Sequence, residues 1–437
     1  MYDLIIIGGG PAGYLAAERA GHAGMAVCLF EKNAIGGVCL NEGCIPSKAL
    51  LNSAKIYEHA RDGRKYGVLA ENVLIDQKAV VLRRGKVVRT LVAGVSSTLK
   101  RLGVAVVKEA AVVRGRVEGG FAVTAGRQDY EAKRLLIAAG SVAVVPPIPG
   151  VRENLGGFVL TNREVLELPE IPKDFVIVGG GVIGLEMAAY YAVAGSRVTV
   201  VEMLDHIAGP TDREISTMLR KEYAKRGVDF RLSAKVVAVE PGKVVCEADG
   251  KTFEIPADKV LLSIGRRAAT EGIGLENIGI ATERGVVLTD EQCRTNVENV
   301  YAAGDCIGKV MLAHTAYREA EVAVNTMLGK KDRMRYNANP SVIYTHPEVA
   351  TVGMTEEEAV AAGVDFEVKK LSMRFSGRFI AENEGADGLC KMLIHKKHRN
   401  ILGVHMIGNA SSEVVWGAAL MIEQELRVKD AKEIIFP

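Results

Sequence analysis

The apolar positions of the chain carry one pattern twice. A short apolar run over residues 4–7 meets Gly8, Gly10 and Gly13, a helix-compatible stretch follows over 11–23, and a second run over 26–30 ends in Glu31. The order returns at residues 175–178, with Gly179, Gly181 and Gly184, a helix-compatible stretch over 182–194, and a run over 197–201 ending in Glu202. Strand, glycine turn, helix, strand opens a doubly wound α/β layer, so the pattern predicts two Rossmann-like dinucleotide-binding domains. Between the copies, Val81, Val88, Leu91, Val95, Leu99 and Leu102 recur near a helical period. They predict a long amphipathic helix over 78–102 that covers the first sheet. Short strands are expected over 104–113, 121–125 and 134–137, before Pro146, Pro147, Pro149 and Gly150 mark a boundary. Residues 300–305 read as a strand end that turns at Gly304. From about Tyr336 the pattern changes to strands and helices without a glycine cluster, and Thr355 with Glu358 predicts a capping box.

Size agrees with several domains, because a single core rarely grows past about 250 residues and this chain has 437. The expected division is residues 1–146, 147–265, a return segment 266–334 that rejoins the first domain, and a final α+β domain over 335–437. That last block lacks a phosphate motif, and reads as an association surface or substrate wall. The 55 basic and 53 acidic residues are interspersed and leave a net charge of +2, without the one-signed stripe that tracks a phosphate backbone, so no nucleic-acid partner is expected. No apolar run reaches the roughly 18 residues of a membrane-spanning helix and no basic-then-apolar leader precedes the first strand, so no membrane association and a cytoplasmic location are expected. Seven scattered cysteines do not resemble a secreted disulfide framework. Cys28, Cys246, Cys293, Cys306 and Cys390 read as small core residues.

Cys39 and Cys44 differ from these five. They lie in the run Gly36-Gly37-Val38-Cys39-Leu40-Asn41-Glu42-Gly43-Cys44-Ile45-Pro46-Ser47-Lys48. A disulfide closing so small a loop restrains little of the unfolded chain, so a redox role explains the pair better than stapling. Five residues of regular helix would separate the two α-carbons by about 7.5 Å, beyond the usual disulfide span. Gly43 is the expected point of distortion. Lys48, one helical turn past Cys44, would favour a thiolate there and negative charge on a reduced cofactor. A solvated lysine is the plainer alternative. Zinc is disfavoured because no further Cys or His ligands cluster locally, and no metal is expected.

The glycines place bare amides and a helix N-terminus where a pyrophosphate would bind, and Glu31 ends the next strand where a carboxylate can accept two ribose hydroxyls. Glu202 stands at the same relative place and would repel a 2′-phosphate, with no arginine in 203–206 to receive one, so NAD is favoured over NADP. Two dinucleotide folds beside a dithiol suggest a flavin in one and a nicotinamide in the other, since a flavin can pass two electrons between hydride and thiolate.

On these residues the chain resembles the flavoprotein disulfide reductases with two dinucleotide folds, and among them the dihydrolipoamide dehydrogenase family, over nearly its whole length. Leu40, Ile45, Pro46, Ser47 and Lys48 carry that likeness; glutathione reductases usually have valines at the first two places and a second lysine at the fourth. The cysteine pair that mercuric reductases carry at their C-terminal end has no counterpart in this chain. The resemblance implies FAD on the first domain, NAD on the second and a C-terminal dimerisation domain. It implies that Cys39 attacks the substrate disulfide, that Cys44 exchanges electrons with the flavin, and that Lys48 contacts the flavin ring and pairs with Glu186. It further implies Asp305 on the ribityl chain, Ala313 nearby, a crossover at Ala138-Ala139-Gly140-Ser141, and a return at Gly265 and Arg266. The implied activity is oxidation of dihydrolipoamide on a lipoyl-bearing protein of a 2-oxo acid dehydrogenase or glycine cleavage complex, by a homodimer. Two rivals are another disulfide reductase with a different thiol substrate and a diaphorase or assembly subunit.

Three departures from the family pattern bear on these implications. Val38 stands where the family generally has threonine, and Thr315, Ala316 and Tyr317 alter the segment after His314. Both changes bear on substrate fit. The sequence stops at Ile434-Ile435-Phe436-Pro437, where the family continues into a His-Pro-Thr motif that supplies an acid/base histidine to the partner subunit. Without that base a loss of roughly a hundredfold or more in dithiol oxidation is expected, with flavin reduction by NADH retained. His346 precedes Pro347 and Glu348 but opens the final domain and reads as structural.

Overall fold

In the computed structural model of the chain, residues 1–435 are described; Phe436 and Pro437 lie outside the described residues. The backbone divides into two compact units, one of residues 1–46, 82–144 and 266–335 and one of residues 47–81, 145–265 and 336–437.

The first unit is built on a parallel five-stranded sheet. Its order is Val300–Ala302, Leu135–Ile137, Leu4–Ile7, Val27–Phe30, Ala105–Val107. All four residues of Leu4–Ile7 and of Val27–Phe30 are buried, the continuous apolar pattern of a sheet covered on both faces. Helix Pro11–His22 packs on one face, with helix Ala313–Met327 against it. An antiparallel sheet of Ala111–Val117, Gly120–Ala125 and Gln128–Ala132 packs on the other, where Val113, Phe121 and Val123 join Ile5, Phe30 and Ile137 in one core. The expected strand over 104–113 is therefore two strands in two sheets, parted at Lys108 and Glu109. Strand Gln128–Ala132 is absent from the sequence reading because its outward positions are polar and exposed.

The long helix runs Gln77–Arg101. Val88 and Leu99 are buried on its inner stripe, whereas Leu91 is 39% exposed and stands off it. At the helix's C-terminal end Leu102 and Val104 crowd Gly21 of helix Pro11–His22, so this end abuts a helix of the first layer.

The second unit repeats the parallel sheet in the order Asp229–Arg231, Arg197–Val201, Asp174–Val178, Lys259–Leu262, Val159–Leu160. A second antiparallel trio, Lys235–Glu240, Lys243–Ala248 and Lys251–Pro256, is inserted at the corresponding point of the chain. The two sheets share one topology but take the fifth strand from opposite sides in sequence: the first from the return segment, the second from residues just past the proline stretch. The C-terminal part is a five-stranded antiparallel sheet with helix Ser411–Glu423 on it. Helix Glu356–Ala361 opens with the expected capping box: Thr355 Oγ accepts from Glu358 N–H at 3.2 Å and Glu358 accepts from Thr355 N–H at 2.9 Å. No described helix is long and apolar enough to cross a membrane.

Candidate active site

Each parallel sheet reverses strand order beside its central strand, Leu4–Ile7 in the first and Asp174–Val178 in the second, and ligands of open α/β sheets bind at such switch points. The glycines sit there for two physical reasons. In the first unit a Cβ at Gly8 would lie 2.1 Å from the carbonyl oxygen of Ala138, and one at Gly13 would lie 1.8 Å from that of Gly8. In the second unit Gly179 and Gly184 meet Ser263 O and Gly179 O at 2.5 and 2.3 Å. Those four positions are closed by the protein's own backbone. The middle glycines are not: the nearest atoms to a Cβ at Gly10 or Gly181 stand 3.9 Å away. Packing leaves room there, and the bareness of Gly10 and Gly181 serves what approaches from outside. Both are helix N-caps without a side-chain cap hydrogen bond, so the first amides of each helix face the mouth of the switch point. The residues present thus fit a pyrophosphate in each unit.

The two carboxylates are held alike. Glu31 accepts from Gly9 N–H at 2.8 Å and Asn33 N–H at 2.7 Å; Glu202 accepts from Gly180 N–H at 2.7 Å and Leu204 N–H at 2.8 Å. Each oxygen keeps a further lone pair for a ribose hydroxyl. Tertiary structure adds one group that the local reading omits, Arg213, whose Nη1 lies 2.9 Å from Asp205, three residues past Glu202. Its pairing with Asp205 leaves Glu202 as the carboxylate at the strand end.

Cys39 lies on the short helix Gly37–Glu42 and Cys44 opens helix Cys44–Arg61; both are partly exposed. Gly43 breaks the helix between them with φ −148° and ψ −108°. Pro46 falls in the first turn, where its missing N–H costs nothing. The sulfur-bearing helix starts on the first switch point, because a Cβ at Gly37 would lie 2.7 Å from Cα of Gly10. Burial pushes the thiols of Cys28 and Cys306 up to about 12 and that of Cys246 up to about 11, so these three stay protonated at neutral pH.

Lys48, one turn along the helix from Cys44, donates to Glu186 at 3.2 and 3.4 Å. Glu186 is 4% exposed and also accepts from Tyr344 N–H at 3.1 Å. The ammonium lies 4.1 Å above the Tyr344 ring, a contact with no local signal in sequence.

Around the crossover, Arg266 donates through Nε to Ser141 Oγ at 2.7 Å and through Nη2 to Ser141 O at 2.8 Å. Ser141 Oγ in turn donates to Asp305. These contacts link strands Ser141–Ala143 and Arg266–Ala268, which pair antiparallel, and orient the Asp305 carboxylate from behind. Gly140 and Gly265 have φ of +70° and +117°, a region costly for other residues. Ala313 begins helix Ala313–Met327. From that helix, Glu319, fully buried, accepts from Gly304 N–H at 2.7 Å and holds the turn that carries Asp305. Glu319 carries no local signal in the sequence, where it reads as an ordinary helical carboxylate.

His346 exchanges backbone hydrogen bonds with the Tyr223 hydroxyl and stacks edgewise on His59 at 5.7 Å. Burial, reinforced by nearby Arg226 and Lys55, pushes its imidazole down to about 4, so it is neutral at physiological pH. A base depressed by folding stabilises the fold above its unfolded pKa, and that stability is lost as pH falls through the folded one. Between pH 6.5 and about 4 the fold should lose up to about 3 kcal/mol. His346→Gln should flatten that part of a urea-midpoint profile against pH. Among the described residues, no group of three or more His, Cys, Asp or Glu side chains could hold a metal ion.

The family description "Pyridine nucleotide-disulphide oxidoreductase" matches residues 2–320, and the dimerisation domain of the same family matches 339–437. Dihydrolipoyl dehydrogenase of Geobacillus stearothermophilus is 37% identical over 98% of this chain and 91% of its own length. The mitochondrial dihydrolipoyl dehydrogenase of Pisum sativum is 37% identical over 99% of this chain and 87% of its own. Among solved structures, LpdA of Mycobacterium tuberculosis superposes with a TM-score of 0.91 at 26% identity, covering 100% of this chain and 96% of that one. The HOCl-induced flavoprotein disulfide reductase RclA of Escherichia coli superposes with a TM-score of 0.87 at 27% identity, with the same coverage. A match of this extent and similarity, on a chain whose two switch points and cysteine pair were already in place, settles membership: the chain belongs to the pyridine nucleotide-disulphide oxidoreductase family.

Proposed function

We propose that the protein is a dihydrolipoyl dehydrogenase that oxidises dihydrolipoamide on a lipoyl-bearing protein, with NAD as acceptor and FAD as resident cofactor. The observation that carries this reading is the seat of the Cys39–Cys44 segment on Gly10, which puts the dithiol at the mouth of the first dinucleotide crevice. Gly8, Gly10, Gly13, Glu31, Gly140, Asp305 and Ala313 would hold FAD, and Gly179, Gly181, Gly184, Glu202 and Gly265 would hold NAD. Bound FAD supplies a two-electron carrier between the dithiol and NAD.

In the thiol half of the reaction, the substrate dithiol becomes a disulfide while the Cys39–Cys44 disulfide becomes two thiols. Two electrons and two protons move from one to the other. Cys39, on the short helix, is the sulfur that forms the mixed disulfide, with Cys44 leaving as a thiolate, and the second substrate thiolate then releases Cys39. Lys48 brings positive charge to the Cys44 side of the helix, and Glu186 holds that ammonium in one place.

The protein acts as a homodimer through its C-terminal domain, where Val414, Trp416 and Leu420 of helix Ser411–Glu423 are 58%, 72% and 45% exposed. A lipoyl-bearing protein of a 2-oxo acid dehydrogenase or glycine cleavage complex is the proposed partner, and the cytoplasm the proposed compartment.

The test is an anaerobic assay of the FAD-loaded protein with NAD, comparing dihydrolipoamide with reduced glutathione and a persulfide. Reduction of NAD by dihydrolipoamide at least tenfold faster than by the others is expected. Preference for either rival thiol would overturn the substrate assignment. In the same assay NADP should perform at least about tenfold worse than NAD, and Glu202→Ala should narrow that gap by removing the charge that opposes a 2′-phosphate.

A further inference from the structure

Helices Pro11–His22 and Ala313–Met327 cross in the first unit through small residues. A Cβ added at Gly304 would touch Ala12 at 3.2 Å and Ala316 at 3.6 Å, so the two backbones approach closely. That approach brings two phenols together. The hydroxyls of Tyr14 and Tyr317 are hydrogen-bonded to each other, with ring centroids 5.9 Å apart edge to face. Tyr14 lies one turn beyond Gly10, the residue on which the Cys39 helix begins. Burial above all, then the mutual hydrogen bond and charge on Cys39 and Cys44, hold Tyr14 well above the usual phenol range. Tyr317 is likewise raised, chiefly by burial and also by charge on the same two sulfurs. Neither phenol ionises near neutral pH, and both sit within electrostatic reach of the cysteine pair.

A hydroxyl pair has two protons and only one can lie between the oxygens. We propose that the Tyr14–Tyr317 pair is a positioning device for the dithiol: one phenolic proton bridges the two hydroxyls and the other is directed to a sulfur, where it stabilises the thiolate. Tyr317 belongs to the segment that departs from the family pattern after His314. On this inference the departure builds a neutral hydrogen-bond donor and an aromatic wall beside the sulfurs. The inference rests on the reading of Cys39 and Cys44 as the redox pair. Arg266 is coupled electrostatically to Cys44, and also to Asp305 and Glu42, and Lys48 lies one turn along the helix from Cys44. These remain unchanged when only a hydroxyl is removed.

The test is the pH dependence of iodoacetamide alkylation of Cys39 and Cys44 in the reduced, FAD-loaded protein, read by peptide mass. Tyr317→Phe and Tyr14→Phe should each move the alkylation midpoint upward by about one pH unit, about tenfold less thiolate at a fixed pH below it. The double variant should show no larger shift, because either hydroxyl breaks the same chain of two. Unchanged midpoints in correctly folded single variants, or shifts that sum in the double variant, overturn the proposal. Dihydrolipoamide turnover of the wild-type protein is read on the same samples. Flat variant profiles with turnover intact overturn the tyrosine pair alone, whereas a wild-type protein without turnover removes the redox reading as well.

Discussion

Cys44→Ser should yield a protein that still binds FAD yet oxidises dihydrolipoamide at below about one thousandth of the wild-type rate. A serine hydroxyl can neither form a disulfide with Cys39 nor act as a thiolate near neutral pH, so the acceptor of the substrate's electrons is gone. The glycine crevice is untouched, since Gly8, Gly10 and Gly13 lie on a different loop and helix, and flavin content should remain near one per chain. Cys39→Ser should fall to the same level by a different route, losing the sulfur that takes the substrate into a mixed disulfide. Both variants should keep NADH oxidation by artificial acceptors, which needs no dithiol. Stability should change little, because the ring closed by the pair is small. Full dithiol turnover with serine at either position would remove the basis of the proposed function.

The second large effect concerns stability. Lys391, 2% exposed, reaches Asp212, fully buried, at 2.8 Å and Glu356 at 2.5 Å. Asp212 caps helix Arg213–Lys225, accepting from Glu214 and Ile215 N–H, and Lys391 lies on strand Leu389–His395 of the C-terminal sheet. One ion cluster thus ties the second dinucleotide fold to that sheet within a single unit. Burial works against the Lys391 ammonium, but its hydrogen bonds to Asp212 and Glu356 outweigh it and raise the group above the ordinary lysine range. Lys391→Ala leaves the Asp212 carboxylate buried without its counter-charge and should cost about 3–5 kcal/mol. Glu356→Gln removes a carboxylate that is 41% exposed and should cost about 1 kcal/mol or less. Thermal midpoints at fixed protein and FAD concentration separate the two. A Lys391→Ala midpoint within a degree of the wild type would show that the cluster carries no net stability.

These two effects differ in how far they could be seen in advance. The arrangement of Cys39, Cys44 and Lys48 is legible because it is local: a five-residue spacing, a glycine before the second sulfur and one helical turn set their relation before any long-range contact forms. The paired dinucleotide folds are legible for the same reason, since Gly8 to Glu31 and Gly179 to Glu202 carry turn, helix start and strand end within one short span each. Lys391 offers no such clue. In sequence it is one charged residue in an apolar strand, and only contact with Asp212, nearly 180 positions earlier, makes it a buried strut.

Local chemistry therefore determined the two glycine turns, the acidic ends of their second strands and the spacing of the sulfurs, because each depends on backbone geometry within a few residues. Tertiary structure decided which parallel sheet takes its last strand from upstream and which from downstream, how one apolar run divides between two sheets, and which distant partners meet: Lys48 with Glu186, Arg266 with Ser141 and Asp305, Tyr14 with Tyr317. Those meetings depend on how two sheets and their covering helices pack. The free energy that brings such side chains together comes from the apolar faces buried around them rather than from the polar residues themselves.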